Sequence, residues 1–242
     1  MTAGTPRHGR RRNPVSAAEG VPETTTASGA GRRRTGAAVR TGRLEAFSDG
    51  VLAIIITIMV LELKVPDGHS YSDLIHTSGV GLLVYLLSFV FVGIYWNTHH
   101  QLFHLVRQVS GGVLWANLGL LFCLSLVPFT TAWVSESKFE QTPVVIYGLN
   151  LLSAAVAYVV LQTVIIRREG PDSPLHRAVG ADLKGKLSIA FDVAGVLSAL
   201  TIDRDGHVGV WIAMSCFVLV VIIWVVPDRR IYRALRQNEV PA

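Results

Sequence analysis

From residue 43 onward the chain alternates long apolar runs with short polar joints. The runs fall at about 44–63, 78–98, 112–134, 143–166, 186–202 and 208–226, near the roughly 20 residues that a helix needs to cross a bilayer. Backbone polar groups in hydrocarbon must be satisfied within their own segment. The pattern therefore predicts an all-α membrane protein with six transmembrane helices in one bundle. The fifth run is short and carries Asp192, so it departs furthest from an ordinary span. The joints are too short to hold an inserted soluble domain.

The first run, RLEAFSDGVLAIIITIMVLEL over residues 43–63, is polar at its front and apolar behind. At about 100° per residue, Phe47, Val51, Ile54, Ile58, Leu61 and Val65 lie within about 40° of one line. Asp49 lies roughly 160–200° away. Arg43 and Asp49 are six apart and cannot pair along one helix, whereas Glu45 and Asp49 are four apart and repel. The apolar stretch from Gly50 to Leu61 is about 18 Å long, too short for a hydrocarbon layer of about 30 Å. Its charged first turns must then reach membrane depth, where ionisable groups need protein partners or water.

The second run supplies candidate partners. It ends GIYWNTHHQLFH over residues 93–104, which brings Trp96, Asn97, His99 and His100 to the level of Arg43 to Asp49. Indole, amide and imidazole groups can each hydrogen-bond a carboxylate or hydroxyl, and Asp49 is expected to bond Trp96, Asn97 or a histidine. A plainer reading makes His99 and His100 interfacial residues. A third sets His100 and His104, four apart on one helix, against a zinc ion. With no nearby cysteine and no third obvious ligand, no metal site is expected.

Charge fixes the orientation. With both termini inside, the inner segments carry nine Lys/Arg up to Arg43, Arg107 in the second-to-third joint, five between the fourth and fifth runs (Arg167, Arg168, Arg177, Lys184 and Lys186) and four after the sixth. The outer joints carry only Lys64, Lys138 and Arg204. This asymmetry places the N and C termini in the cytoplasm. Residues 1–42 hold eight arginines and no apolar period, which predicts a disordered basic cytoplasmic tail. Residues 227–242 read as a second cytoplasmic tail. The front of the first run lacks the form of a cleavable signal peptide. A net charge of +5 with only 16% charged residues then reflects topology and attraction to anionic lipid. No nucleic-acid partner is expected. Cys123 and Cys216 both fall inside runs, so no disulfide framework is expected.

Arg43-x-x-x-Phe47-Ser48-Asp49 opening the first span, with Trp96-x-x-His99-His100 closing the second, resembles the transmembrane protein 175 family, potassium channels of endosomes and lysosomes with many prokaryotic members. The likeness covers residues 43–226 as one six-span channel domain, the single-repeat type of prokaryotic members. It implies a multi-pass protein of a prokaryotic cell membrane and a homotetramer whose first helices line a central pore. It assigns the hydrophobic constriction to Ile54, Ile58 and Leu61, and potassium preference to Thr57. Arg43, Phe47, Ser48, Asp49, Trp96, His99 and His100 become a packing and hydrogen-bond network at the cytoplasmic end. Ala53 stands where some members carry serine, and Asp192 matches no family feature.

No Thr-Val-Gly-Tyr-Gly-like segment appears, so a filter of backbone carbonyl rings is not encoded. Potassium ions would pass a narrow apolar constriction, with no cofactor. Glu62, one turn beyond Ile58, can concentrate cations at the outer mouth or serve as a plain interfacial acid. Asp49, His99, His100 and Asp192 at membrane depth motivate a rival reading, a proton-conducting or proton-coupled protein. A non-conducting scaffold using the basic tail is a third. No nucleophile–base pair, metal signature or phosphate loop indicates an enzyme.

Overall fold

The computed structural model describes residues 1, 2, 4, 27–106, 109–170, 183–202 and 207–225. The expected C-terminal tail, most of the basic N-terminal tail, Arg107, Arg177 and Arg204 lie outside them. The described residues form seven helices: α1 Ala27–Leu61, α2 Tyr71–His104, α3 Gly111–Ser125, α4 Val127–Glu136, α5 Gln141–Glu169, α6 Leu183–Thr201 and α7 Val208–Val225. Among the described residues there is no strand.

Five stretches are long and apolar enough to cross a membrane: Thr41–Leu61, Tyr71–His104, Gly111–Glu136, Gln141–Glu169 and Val208–Val225. The remaining run forms α6. Its 19 residues can reach about 28 Å, but they include Lys184, Lys186 and Asp192, which sets α6 apart from the other five. It packs between α5 and α7.

Three boundaries differ from the sequence expectation, each for a physical reason. First, α1 starts at Ala27, so residues 27–42 of the supposed disordered tail continue the first helix. Once a helix is anchored by its span, each added residue avoids the nucleation cost, and alanine and arginine propagate well. Second, α2 opens earlier than the apolar run, because Ser70 and Asp73 form a capping box. The Asp73 amide donates to Ser70 Oγ at 3.1 Å, and the Ser70 amide donates to Asp73 Oδ2 at 3.0 Å, which satisfies two otherwise orphaned donors. Third, the third run is broken at Leu126 into α3 and α4. Pro128 lies in the first turn of α4; it has no amide hydrogen and its ring crowds the carbonyl of Leu124.

Small residues bring the helices together. An added Cβ at Gly148 of α5 would lie 2.5 Å from Phe217 Cζ, and one at Gly195 of α6 would lie 2.8 Å from Phe217 Cε1. The Phe217 ring of α7 thus seats against two glycines, the close approach that membrane helix contacts favour. Ser88, Thr131 and Tyr147 tie α2, α4 and α5 together, with Thr131 Oγ1 donating to Ser88 Oγ at 2.7 Å and Ser88 Oγ 3.1 Å from Tyr147 Oη.

Gly209 is tighter still: a Cβ there would stand 2.4 Å from both the Ser198 and the Ile202 carbonyl oxygens. These are backbone atoms and cannot rotate away. Gly209→Ala should therefore force α6 and α7 apart and cost about 1–3 kcal/mol. A melting temperature equal to the parent's would count against this packing.

Candidate functional site: the junction of α1 with the end of α2 and the open face of α1

Helix α1 has two faces of opposite character. Leu52, Ile55 and Met59 are 1%, 4% and 1% exposed, packed into the bundle. Ile54, Ile58 and Leu61 are 59%, 41% and 78% exposed. The apolar stripe legible in the sequence is therefore not a contact within this chain. Val51, on the edge of that stripe, is half-buried, whereas Gly50, Ala53 and Thr57 are exposed. The open face thus centres between Ile54 and Thr57, turned from the expected stripe towards the threonine. Thr57 Oγ1 donates within its own helix to Ala53 and Ile54 carbonyls at 3.0 and 2.9 Å, which leaves its oxygen lone pairs on the exposed side. Ile54, Ile58 and Glu62 also border a cleft of about 550 Å³ against Ser125, Pro128 and Phe129.

Where α1 meets the end of α2, the hydrogen bonds run through a different set of residues from the one expected. Ser48, fully buried, donates to the Leu44 carbonyl at 2.9 Å. Asn117 of α3, also fully buried, donates through Nδ2 to Ser48 Oγ at 2.9 Å. His99 of α2 is 1% exposed, and its Nε2 lies 2.8 Å from Asn117 Oδ1. Because the Asn117 amide nitrogen already faces Ser48, the oxygen faces His99, and His99 Nε2 carries the proton that it donates. Three helices thereby meet at one amide.

Asn117 was not singled out by sequence reading. Its signal was an amide about a quarter of the way into an otherwise apolar run, since a polar side chain at that depth must find a partner. Asp49 makes none of the expected bonds to the second span. Its Oδ1 is buried with no hydrogen-bond partner among the described residues. Asp49 lies away from the open face, yet Ser48, one residue back and about 100° round the helix, points at the α2–α3 seam and takes the contact instead. Arg43 and Phe47 are exposed and do not join the Ser48–Asn117–His99 chain.

A second set of contacts lies at the outer edge of this end. His100 Nδ1 pairs with Glu45 Oε1 at 2.7 Å, the Trp96 ring stacks on the His100 ring with planes 16° apart, and His104 Nε2 lies 3.0 Å from His100 Nε2. His99 and His100 are adjacent, so one turns into the bundle and the other out towards α1. Sequence reading placed both at the right level but missed Glu45 as the group that receives His100.

The model of the family described as endosomal/lysosomal potassium channel TMEM175 matches residues 43–128, the stretch that holds both the open α1 face and this network. Over 197 residues the chain is 50% identical to a protein of a Chryseobacterium strain named a potassium channel, covering 81% of this chain and 98% of that one. A bovine protein named endosomal/lysosomal proton channel TMEM175 is 30% identical over 148 residues, 53% of this chain and 30% of its own length. The fold is similar to the crystal structure of a lysosomal potassium-selective channel TMEM175 homolog from Chamaesiphon minutus, with a TM-score of 0.62 and 28% identity, over 77% of this chain and 97% of that one. With near-complete coverage of a half-identical relative and the same helical fold, this chain belongs to the TMEM175 family, multi-pass membrane proteins that are ion channels and not enzymes.

Proposed function

We propose that copies of this chain assemble around the open face of α1 and conduct potassium ions passively across a bacterial cell membrane, with both termini cytoplasmic. The observation that carries the reading is the exposure of Ile54, Ile58 and Leu61 opposite the buried Leu52, Ile55 and Met59. The chain offers a continuous apolar face on its first helix while its other side is committed to the bundle. In a homotetramer four such faces surround an axis, with rings of Ile54, Ile58 and Leu61 as the constriction and Thr57 hydroxyls beside it. Rings of this kind gate by narrowness and dewetting. The name of the Chryseobacterium relative supports potassium as the permeant ion.

A proton-conducting reading has support of its own. The bovine relative is named a proton channel. Asp192 is 1% exposed, and neither of its carboxylate oxygens has a hydrogen-bond partner among the described residues. Against it, Asp49 and His99 both turn away from the open α1 face, so a proton would have to leave the axis to use them.

Vesicles holding purified protein and a potassium gradient distinguish the two. Potassium conduction predicts a flux that rises when a protonophore relieves the charge imbalance. Proton conduction predicts dissipation of a pH gradient without the protonophore. Vesicles in which neither gradient decays faster than in protein-free controls would refute both.

A further inference from the structure

We propose that His100 and His104 hold a transition-metal ion of the Zn²⁺ type at the cytoplasmic end of α2, with Glu45 of α1 as the carboxylate that fixes His100 for the task. The two histidines are one helical turn apart, so their side chains lie one above the other. Their Nε2 atoms face each other at 3.0 Å, with the rings nearly perpendicular at 88°. Two imidazole ligands on a tetrahedral zinc, each about 2.0–2.1 Å from the metal, are roughly 3.3 Å apart. The observed separation needs only a few tenths of an ångström of opening.

Glu45 supplies what a pair of histidines alone lacks. Its Oε1 lies 2.7 Å from His100 Nδ1, so Nδ1 carries the proton and the Nε2 lone pair is left pointing towards His104. A carboxylate on the far nitrogen of a ligating imidazole is the usual outer support of a metal-bound histidine; it sets the tautomer and raises the basicity of the ligand. Without metal, His104 Nε2–H donates to His100 Nε2. On binding, that proton passes to solvent or to His104 Nδ1, and the ion takes its place. The three side chains form one cluster, with atoms able to ligate within 4.8 Å of one another; His100 and His104 are the ligands, Glu45 stands behind His100, and water completes the coordination.

The site is open to ions. His104 is exposed, and the His100 and Glu45 side chains are 43% and 19% exposed. The Trp96 ring lies nearly parallel to the His100 ring, with centroids 6.0 Å apart. Glu45 lies about 160° round α1 from the Ile54 stripe, so a bound ion does not plug the open face. It braces the end of α2 against the Glu45 turn of α1, next to the Ser48–Asn117–His99 junction. The site does not depend on the conduction reading, because its test is binding.

The experiment titrates Zn²⁺ into the full-length chain in detergent, free of any affinity tag, by calorimetry. A parallel titration with Co²⁺ reports nitrogen coordination by visible absorption. The expected result is one saturable site per chain, weakened at least tenfold by His104→Gln. Glu45→Ala should weaken it by about 10–100-fold. Glu45→Gln should fall between that and the parent, because the amide oxygen still accepts the His100 Nδ1 proton. His76→Gln, outside this cluster, should leave the affinity unchanged. His104 is an exposed surface residue, so its replacement leaves the fold in place and the comparison interpretable. Affinity for Zn²⁺ within twofold of the parent in His104→Gln, or no saturable binding in the parent, overturns the proposal; the cluster is then a hydrogen-bonded relay only.

Discussion

Ile54→Asn is expected to raise the single-channel current by about tenfold, equivalent to removing about 1.4 kcal/mol from the barrier to permeation, and to lower discrimination between potassium and sodium. The side chain is 59% exposed on the open face of α1. In the proposed tetramer, four branched hydrocarbons around the axis would hinder ions by excluding water, and four amides in their place would hold water and coordinate cations. The control is one residue along. Ile55 is only 4% exposed, so Ile55→Asn buries an amide without partners at about 1–3 kcal/mol per chain. It should lose yield or thermal stability with no gain in current. Recordings in which both variants behave alike, or in which only Ile55→Asn raises conductance, would show that the open face does not line the pore.

The second large effect is expected at Asn117. Asn117→Ala removes a side chain that joins α1, α2 and α3, and strands the buried His99 Nε2 proton. Leaving such a group unpaired costs roughly 1–3 kcal/mol. Ser48→Ala should cost less, because it deletes its own hydroxyl and leaves Asn117 bound to His99. The double variant separates contact from context. Hydrogen-bonded pairs inside membranes couple by about 0.6 kcal/mol on average, with a maximum of about 1.7. A cycle measured by detergent unfolding should fall in that range. Strict additivity of Ser48→Ala and Asn117→Ala would indicate that the 2.9 Å contact contributes nothing. Because these residues lie off the open face, ion selectivity in the surviving folded protein should match the parent's, which distinguishes this network from the Ile54 ring.

The two experiments also divide the roles of the motif. Ser48 and His99 were legible as partners-in-waiting, because polar groups at that depth cannot stay unpaired. Who would partner whom was not legible. A helical phase gives directions to about 20° or so only while the helix is ideal, and it says nothing about which neighbouring helix stands in a given direction. Asp49 illustrates the gap: its charge made it the obvious donor-seeker, yet Ser48 points at the α2–α3 seam. Glu45 was read only as a charge repelling Asp49, whereas the packing of α1 on α2 brings it to His100.

Read without any coordinates, the residues already gave the class of the protein, the approximate places of its helices and an apolar stripe on the first of them. These follow from the run lengths that a bilayer demands and from the helical period, both local properties of the chain. The start of α2 was lost to an apolar-only reading because Ser70 and Asp73 are polar, though their spacing is a local capping signal too. The use of each face came from the packing: Leu52, Ile55 and Met59 are spent on the bundle while Ile54, Ile58 and Leu61 remain open; Asn117 closes the junction; and Glu45, 55 positions before His100 in the chain, completes a cluster with His104. Each depends on how helices distant in sequence are rotated against one another, and helix rotation is set by the sum of many side-chain contacts rather than by any one segment's pattern.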